Sequence, residues 1–156
     1  VEPDEVERID PHAWLSVSSL HALMGAVSER FELDAIRTAT RRYIAAPQRG
    51  SVFAPMLRSW SRSFEQSPMH MLRGLTPLWR AALRHTSPPT VVAQSASEVH
   101  VMLTGAGANM LCSSPALTAS FEGVLLGLLD LVRPSPVLAE VETHATPESL
   151  RSICRF

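Results

Sequence analysis

The run Ala119-Ser120-Phe121-Glu122-Gly123-Val124-Leu125-Leu126-Gly127-Leu128-Leu129 decides the fold of this chain, because the hydrophobic period changes on both sides of it. Phe121, Val124, Leu125, Leu128, Leu129 and Val132 recur at helical spacing, so residues 115–132 predict one strongly apolar helix. Before it, Val99, Val101 and Leu103 alternate with His100, Met102 and Thr104, which predicts a strand pairing with residues 90–93. After it, Pro134 and Pro136 stop the helix, and residues 137–143 and 150–156 alternate again around a turn at 144–149. Hairpin, helix and hairpin in that order predict an α+β fold, with four to five amphipathic helices packed on a small antiparallel sheet.

The same helix carries an anomaly. Ala119, Gly123 and Gly127 fall at i, i+4 and i+8, and each interior glycine costs about 1 kcal/mol against alanine. A stripe without side chains predicts close approach by a sheet, a partner helix or a ligand tail. Gly123 and Gly127 are therefore candidate contacts, within the monomer or across a homodimer.

The amino-terminal half reads as helices. Ser18 or Ser19 caps a first one reaching Phe31, with Leu20, Leu23, Met24, Val27 and Phe31 on its buried face. A second, over residues 33–45, buries Leu33, Ile36, Tyr43 and Ile44 and turns Arg37, Arg41 and Arg42 outward. Ser51 caps a third, carrying Phe53, Met56, Leu57, Trp60 and Phe64. Ser67-Pro68 opens a fourth with Met69, Leu72 and Leu75, which Pro77 breaks before Trp79 and Leu83. Ser87-Pro88-Pro89 is a loop inside one domain, and residues 105–109 read as a flexible connection. Residues 1–15 form an extended acidic lead-in anchored by Trp14, and residues 16–156 form the single α+β domain. Val1 in place of a methionine predicts that further sequence flanks the chain.

With 156 residues, 46% hydrophobic content and 19% charge, the chain is long and apolar enough for one packed core, which excludes general disorder. No apolar run reaches the length of a membrane span. All 14 basic residues are arginine, and they are unevenly placed. Residues 1–36 carry net −6, residues 37–84 net +8 and residues 85–156 net −3. That asymmetry predicts either an acidic protein partner for the middle or internal pairing with the acidic ends. Nucleic acid is disfavoured, because the arginines are spread over several helices and the nearby aromatics follow core spacing. Cys112 and Cys154 stand outside any C-x-x-C pattern, which predicts free thiols in a reducing, cytoplasmic compartment.

No nucleophile–base set or paired-carboxylate site can be assembled, so no catalytic residues and no enzyme activity are expected. The glycines at 105 and 107 lack both the Walker lysine and the third glycine of a dinucleotide loop. Six histidines are scattered without metal-ligand spacing, so no metal is expected. His70, between Met69 and Met71, is the one remote candidate for an axial haem ligand.

The order of elements, with the 119–129 run, the strands around 137–142 and 150–156, Arg42-Tyr43 and Leu75-Thr76-Pro77-Leu78-Trp79, resembles a known superfamily. It comprises the four-vinyl-reductase ligand-binding domains, the small adaptors of the TRAPP tethering complex and the haem nitric-oxide/oxygen-binding domains. Within it, the chain looks closest to a paralogous group of myxobacterial proteins. The resemblance spans residues 17–156. It implies a non-catalytic, often dimeric domain with an apolar pocket between helices and sheet. The Tyr-x-Ser-x-Arg motif that holds haem propionates and the metal-binding cysteine cluster of those families are absent, so no cofactor is expected.

These readings converge on a regulatory or sensory module for a small apolar ligand, with Phe53, Leu57, Trp60, Leu72, Trp79, Phe121 and Leu125 as pocket candidates. The alternative is a dimeric scaffold docking an acidic partner through Arg37, Arg41 and Arg42. A haem or gas sensor using His70 is the remote third.

Overall fold

The computed structural model describes residues 16–46, 67–132, 139–146 and 148–156, together with Pro55, Leu57 and Ser59. The first helices are α1 (Val17–Ser28), α2 (Leu33–Ala45), α3 (Pro68–Arg73) and α4 (Leu75–Ala82). They are followed by β1 (Thr90–Ala93), β2 (Glu98–Thr104), α5 (Gly105–Cys112), α6 (Pro115–Asp130), β3 (Glu140–Ala145) and β4 (Ser149–Arg155). The strands form one antiparallel sheet in the order β1-β2-β4-β3. The predicted α+β architecture is the one observed. The third predicted helix and the acidic lead-in lie outside the described residues, apart from the helical positions Pro55, Leu57 and Ser59.

α6 sits at the centre. Its N-cap Ser114 accepts from the Leu117 amide, and Pro115 stands at its first position, where a missing N–H costs nothing. Leu125, Leu128 and Leu129 are fully buried, each contributing about 1.5–3 kcal/mol of apolar burial. The opposite side of the helix is buried too, which explains an apolar composition running all round it.

That opposite side meets α2. A β-carbon on Gly123 would lie 2.5 Å from the Arg37 carbonyl oxygen, and one on Gly127 would lie 2.7 Å from the Arg41 carbonyl oxygen and from Ile44 Cβ. The glycine stripe is thus occupied inside the chain, by a helix instead of the sheet. Arg37 and Arg41 do not project freely either: Arg37 Nε donates to Glu122 at 2.7 Å, and Arg41 pairs with Asp130 at 2.6 and 2.7 Å. The buried Glu122 carboxylate is tolerated because it is paired. The inward stripe of α2 is Arg37, Thr40, Arg41 and Ile44, so Leu33 and Tyr43, expected inside, are exposed.

The sheet follows its predicted alternation. Val99, Val101 and Leu103 are buried against the helices, as are Leu150, Ser152 and Cys154 on β4. Ser152 Oγ meets Thr143 Oγ1 at 3.0 Å, which satisfies a hydroxyl inside the core. On the outer face Arg155 reaches Glu98 of β2 at 3.1 Å and Glu142 of β3 at 3.0 Å, so opposite charges pair across three strands.

Three boundaries differ from the sequence reading. α1 is capped by Ser16, ends at Ser28 and leaves Phe31 58% exposed beyond it. The segment at 105–109, expected as a loop, opens α5: Gly105 turns the chain at φ 60°, and Gly107 packs closely against Trp79 and Leu103, whose side chains a β-carbon there would meet at 3.2 and 3.3 Å. The break before Trp79 falls at Gly74, and Pro77 lies in the first turn of α4.

Candidate ligand cavity

α4 carries a wide apolar face because Leu75, Leu78, Trp79 and Ala82 recur at helical spacing. Leu75, Leu78 and Trp79 are buried. Trp79 stands edge-on to Phe121 of α6, ring centroids 6.0 Å apart and planes at 85°. The indole N–H donates to Thr86 Oγ1 at 2.9 Å, so the polar tip of Trp79 is satisfied away from its apolar body. Between α4, α6, α5 and α1 this leaves a cavity of about 380 Å³. Leu20 and Met24 of α1 close it on one side, Leu78 and Trp79 on another, and Leu117, Phe121 and Val124 form its floor. Ser120 supplies a hydroxyl to the lining, already engaged by Thr40 at 3.2 Å.

A second cavity, of about 790 Å³, adjoins the first and shares Ala82, Leu83 and Met110 with it. Its walls are the start of α1, the segment leaving α4 and the first turns of α5. They are more polar and contain His21, Arg84, His85, Asn109 and Ser113. His21 Nε2 lies 3.1 Å from the Met110 carbonyl oxygen and 3.0 Å from Ser113 Oγ, which ties α1 to the end of α5. His85 holds a left-handed backbone at φ 59°.

Of the seven residues expected to form a pocket, Trp79 and Phe121 line the first cavity. Leu57, Leu72 and Leu125 are packed in the core instead, and Phe53 and Trp60 lie outside the described residues. The cavity also lies among helices: the helix-facing side of the sheet, where a pocket was expected, is densely buried. Met110, Leu117 and Val124 carry no signal that distinguishes cavity lining from core, since both require the same apolar spacing. Leu20 and Met24 were legible as the inward face of the first helix, though not as a wall.

His70 is exposed on α3, with Nδ1 2.8 Å from Ser67 Oγ at the helix cap, and it lines neither cavity. Arg42 is exposed, while Gly123, Gly127, Arg37 and Arg41 are engaged between α2 and α6. Of the two expectations for the glycine stripe, the close approach within the chain is the one the structure contains. Among the described residues no group of histidine, cysteine and carboxylate side chains has metal-binding geometry. Burial raises the pKa of Cys112 and pushes that of Cys154 up to about 12. Among the same residues no single helix is long and apolar enough to cross a membrane, and α5 and α6 meet at a 112° bend.

The fold is that of the H-NOX domains. An Fe(II) unliganded H-NOX protein from K. algicida aligns with a TM-score of 0.59 at 12% identity, covering 92% of this chain and 74% of its own. An oxygen-binding H-NOX domain related to soluble guanylate cyclases, solved as its oxygen complex, gives 0.55 at 12% identity over 95% of this chain and 76% of its own. A structure from work on haem distortion in the H-NOX family gives 0.58 at 14% identity, with 95% and 76% covered. No family model and no curated protein matches the sequence. At these identities the likeness to H-NOX domains is one of fold. Of the folds that the sequence resembles, the one matched by these structures is that of the haem-nitric-oxide-binding domains.

Proposed function

We propose that this H-NOX-like chain is a non-catalytic sensory or regulatory module that takes a small apolar ligand into the cavity between α1, α4, α5 and α6. The observation that carries the reading is the cavity of about 380 Å³ beside the Trp79–Phe121 pair, within the range of ligand sites and lined almost wholly by apolar side chains. Its outer wall, α1, has no fully buried residue. A ligand touching Leu20 and Met24 would favour the docked position of that helix, and a difference in affinity between two positions of α1 is what a signal requires.

Haem, the group named in the H-NOX comparisons, does not fit this donor set. Among the described residues, none that lines the apolar cavity is a histidine, cysteine or tyrosine. His70 lies outside it, and His21 Nε2 is engaged by Met110 and Ser113. Haem is held by histidine, cysteine thiolate, tyrosine or a methionine–histidine pair, and among the described residues none of these lines the apolar cavity.

Calorimetric titration with 1-decanol, a neutral apolar probe, tests the reading. Saturable one-to-one binding is expected, abolished by Val124→Trp with an unchanged far-UV circular dichroism spectrum. No binding by the folded chain, or binding that survives Val124→Trp, overturns it. Stoichiometric haem uptake with a sharp Soret band, lost in His70→Ala, would establish the haem reading instead.

A further inference from the structure

The apolar cavity does not end beside Trp79. We infer that the ligand is an unbranched hydrocarbon chain lying along α1, filling that cavity and continuing beneath the helix into a further one between α1 and α2. This rests on the apolar-cavity reading and deepens it.

The further cavity, of about 320 Å³, is bounded by Met24 and Val27 of α1, by Phe31 beyond its end, and by Ala35, Ile36 and Ala39 of α2. It adjoins the first at Met24 and Ser120, which line both. Leu20, Met24 and Val27 follow one another at i, i+4 and i+7, so one apolar stripe of α1 walls the two cavities in turn. The helix advances about 1.5 Å per residue, which sets Leu20 and Val27 about 10 Å apart along it and makes the combined lining elongated. Thr40 and Ser120 bring hydroxyls to the junction, and these engage each other at 3.2 Å. Met24 stands at the same place, and its unbranched thioether adapts its shape to what it covers. Apolar walls of this kind hold water poorly, whereas a hydrocarbon chain gains from every methylene it buries. A compact ligand would fill the first cavity and leave Val27 and Phe31 uncovered, Phe31 at 58% exposure.

Calorimetry on the whole protein uses 1-hexanol, 1-octanol, 1-decanol and 1-dodecanol, each below its solubility limit. Affinity should rise about fourfold per added methylene through dodecanol. Ala39→Phe, at an exposed position of α2 that lines the further cavity, should halt the rise beyond octanol. It should leave hexanol unchanged, which also certifies the variant as folded. Ala35→Phe, one turn earlier in the same lining, should do the same. Dodecanol binding no tighter than octanol to the unaltered protein overturns the extended placement and leaves the apolar cavity standing. A rise that persists in both variants overturns the route beneath α1, with the same consequence. Binding of none of the four alcohols overturns both readings.

Discussion

Arg41 and Asp130 close the α2–α6 interface with a two-point ion pair, Nε to Oδ2 at 2.6 Å and Nη2 to Oδ1 at 2.7 Å. Directly beneath it, the Arg41 carbonyl oxygen occupies the space where Gly127 lacks a side chain. The hydrogen bond and the charge of Asp130 raise the Arg41 pKa further above its ordinary value, so the pair stays intact across the working pH range. Asp130 is the less exposed partner, at 23% against 38%. Removing either side should cost about 1–2 kcal/mol, more than an ordinary surface pair, because the geometry is bidentate. A double-mutant cycle of Arg41→Met and Asp130→Asn in urea should show a coupling of about 1 kcal/mol. Additive effects would show that the pair contributes only packing.

The glycines beneath should be less tolerant than helix propensity suggests. Alanine at an interior helical glycine gains about 1 kcal/mol of propensity. At Gly123 and Gly127 the new methyl would meet backbone of α2, which cannot swing aside as a side-chain end does. Overpacking of this kind costs about 1–3 kcal/mol. Gly123→Ala and Gly127→Ala should therefore lower Tm, while Gly25→Ala in α1, with nothing within 4 Å of the added carbon, should leave it unchanged or raise it. Thermal melts of the three variants decide the matter, and equal Tm for all three would refute tight α2–α6 contact.

This interface also shows where the sequence was legible. The span of α2 was readable to the residue, since a hydrophobic period and flanking breakers are local properties. Its rotation was not. Charge placed Arg37 and Arg41 outward, yet they lie on the inward stripe with Thr40 and Ile44, because the glycines of α6 accept α2 backbone and Glu122 and Asp130 accept the guanidiniums. The helical state of residues 105–109 was hidden for a related reason. Two glycines read as a loop, but Gly107 is packed closely by Trp79 and Leu103, an approach that no local pattern encodes. Trp79 and Phe121 were identifiable as large aromatics on apolar faces. A cavity beside them is a deficit of packing between four helices, and apolar spacing looks the same whether a core is full or not.

The outer face of the sheet should weaken in acid. Hydrogen bonds from His100 and Arg155 hold the Glu98 carboxyl below its usual value, and Arg155 with the charge of His144 does the same for Glu142. A carboxylate with a depressed native pKa stabilises the fold above its unfolded pKa, and the contribution disappears as pH falls through the native value. Both groups thus favour the native state above about pH 4.5 and lose that effect on further acidification. Hydrogen exchange in β3 and β4 should accelerate on lowering the pH below this point, beyond the change expected from intrinsic exchange. Arg155→Gln should flatten the response, and an unchanged profile in that variant would remove Arg155 as its cause.

Cys154 should behave as a reporter of the core at the alkaline end. It is wholly buried on β4, beneath the central helices, and burial pushes its thiol up to about 12. A thiol raised in the native state contributes stability that is complete below the unfolded value near 8.5 and declines as pH rises toward the native one. The thiolate is the reactive form, so at pH 8 a disulfide reagent should label Cys154 only as fast as the chain opens. Cys112, half-buried at the end of α5, should react first and more slowly than a free thiol, because burial raises its pKa as well. In Cys112→Ser, labelling of Cys154 should follow the unfolding rate across a urea series. Rapid labelling without urea would show that β4 separates from the helices in the native state.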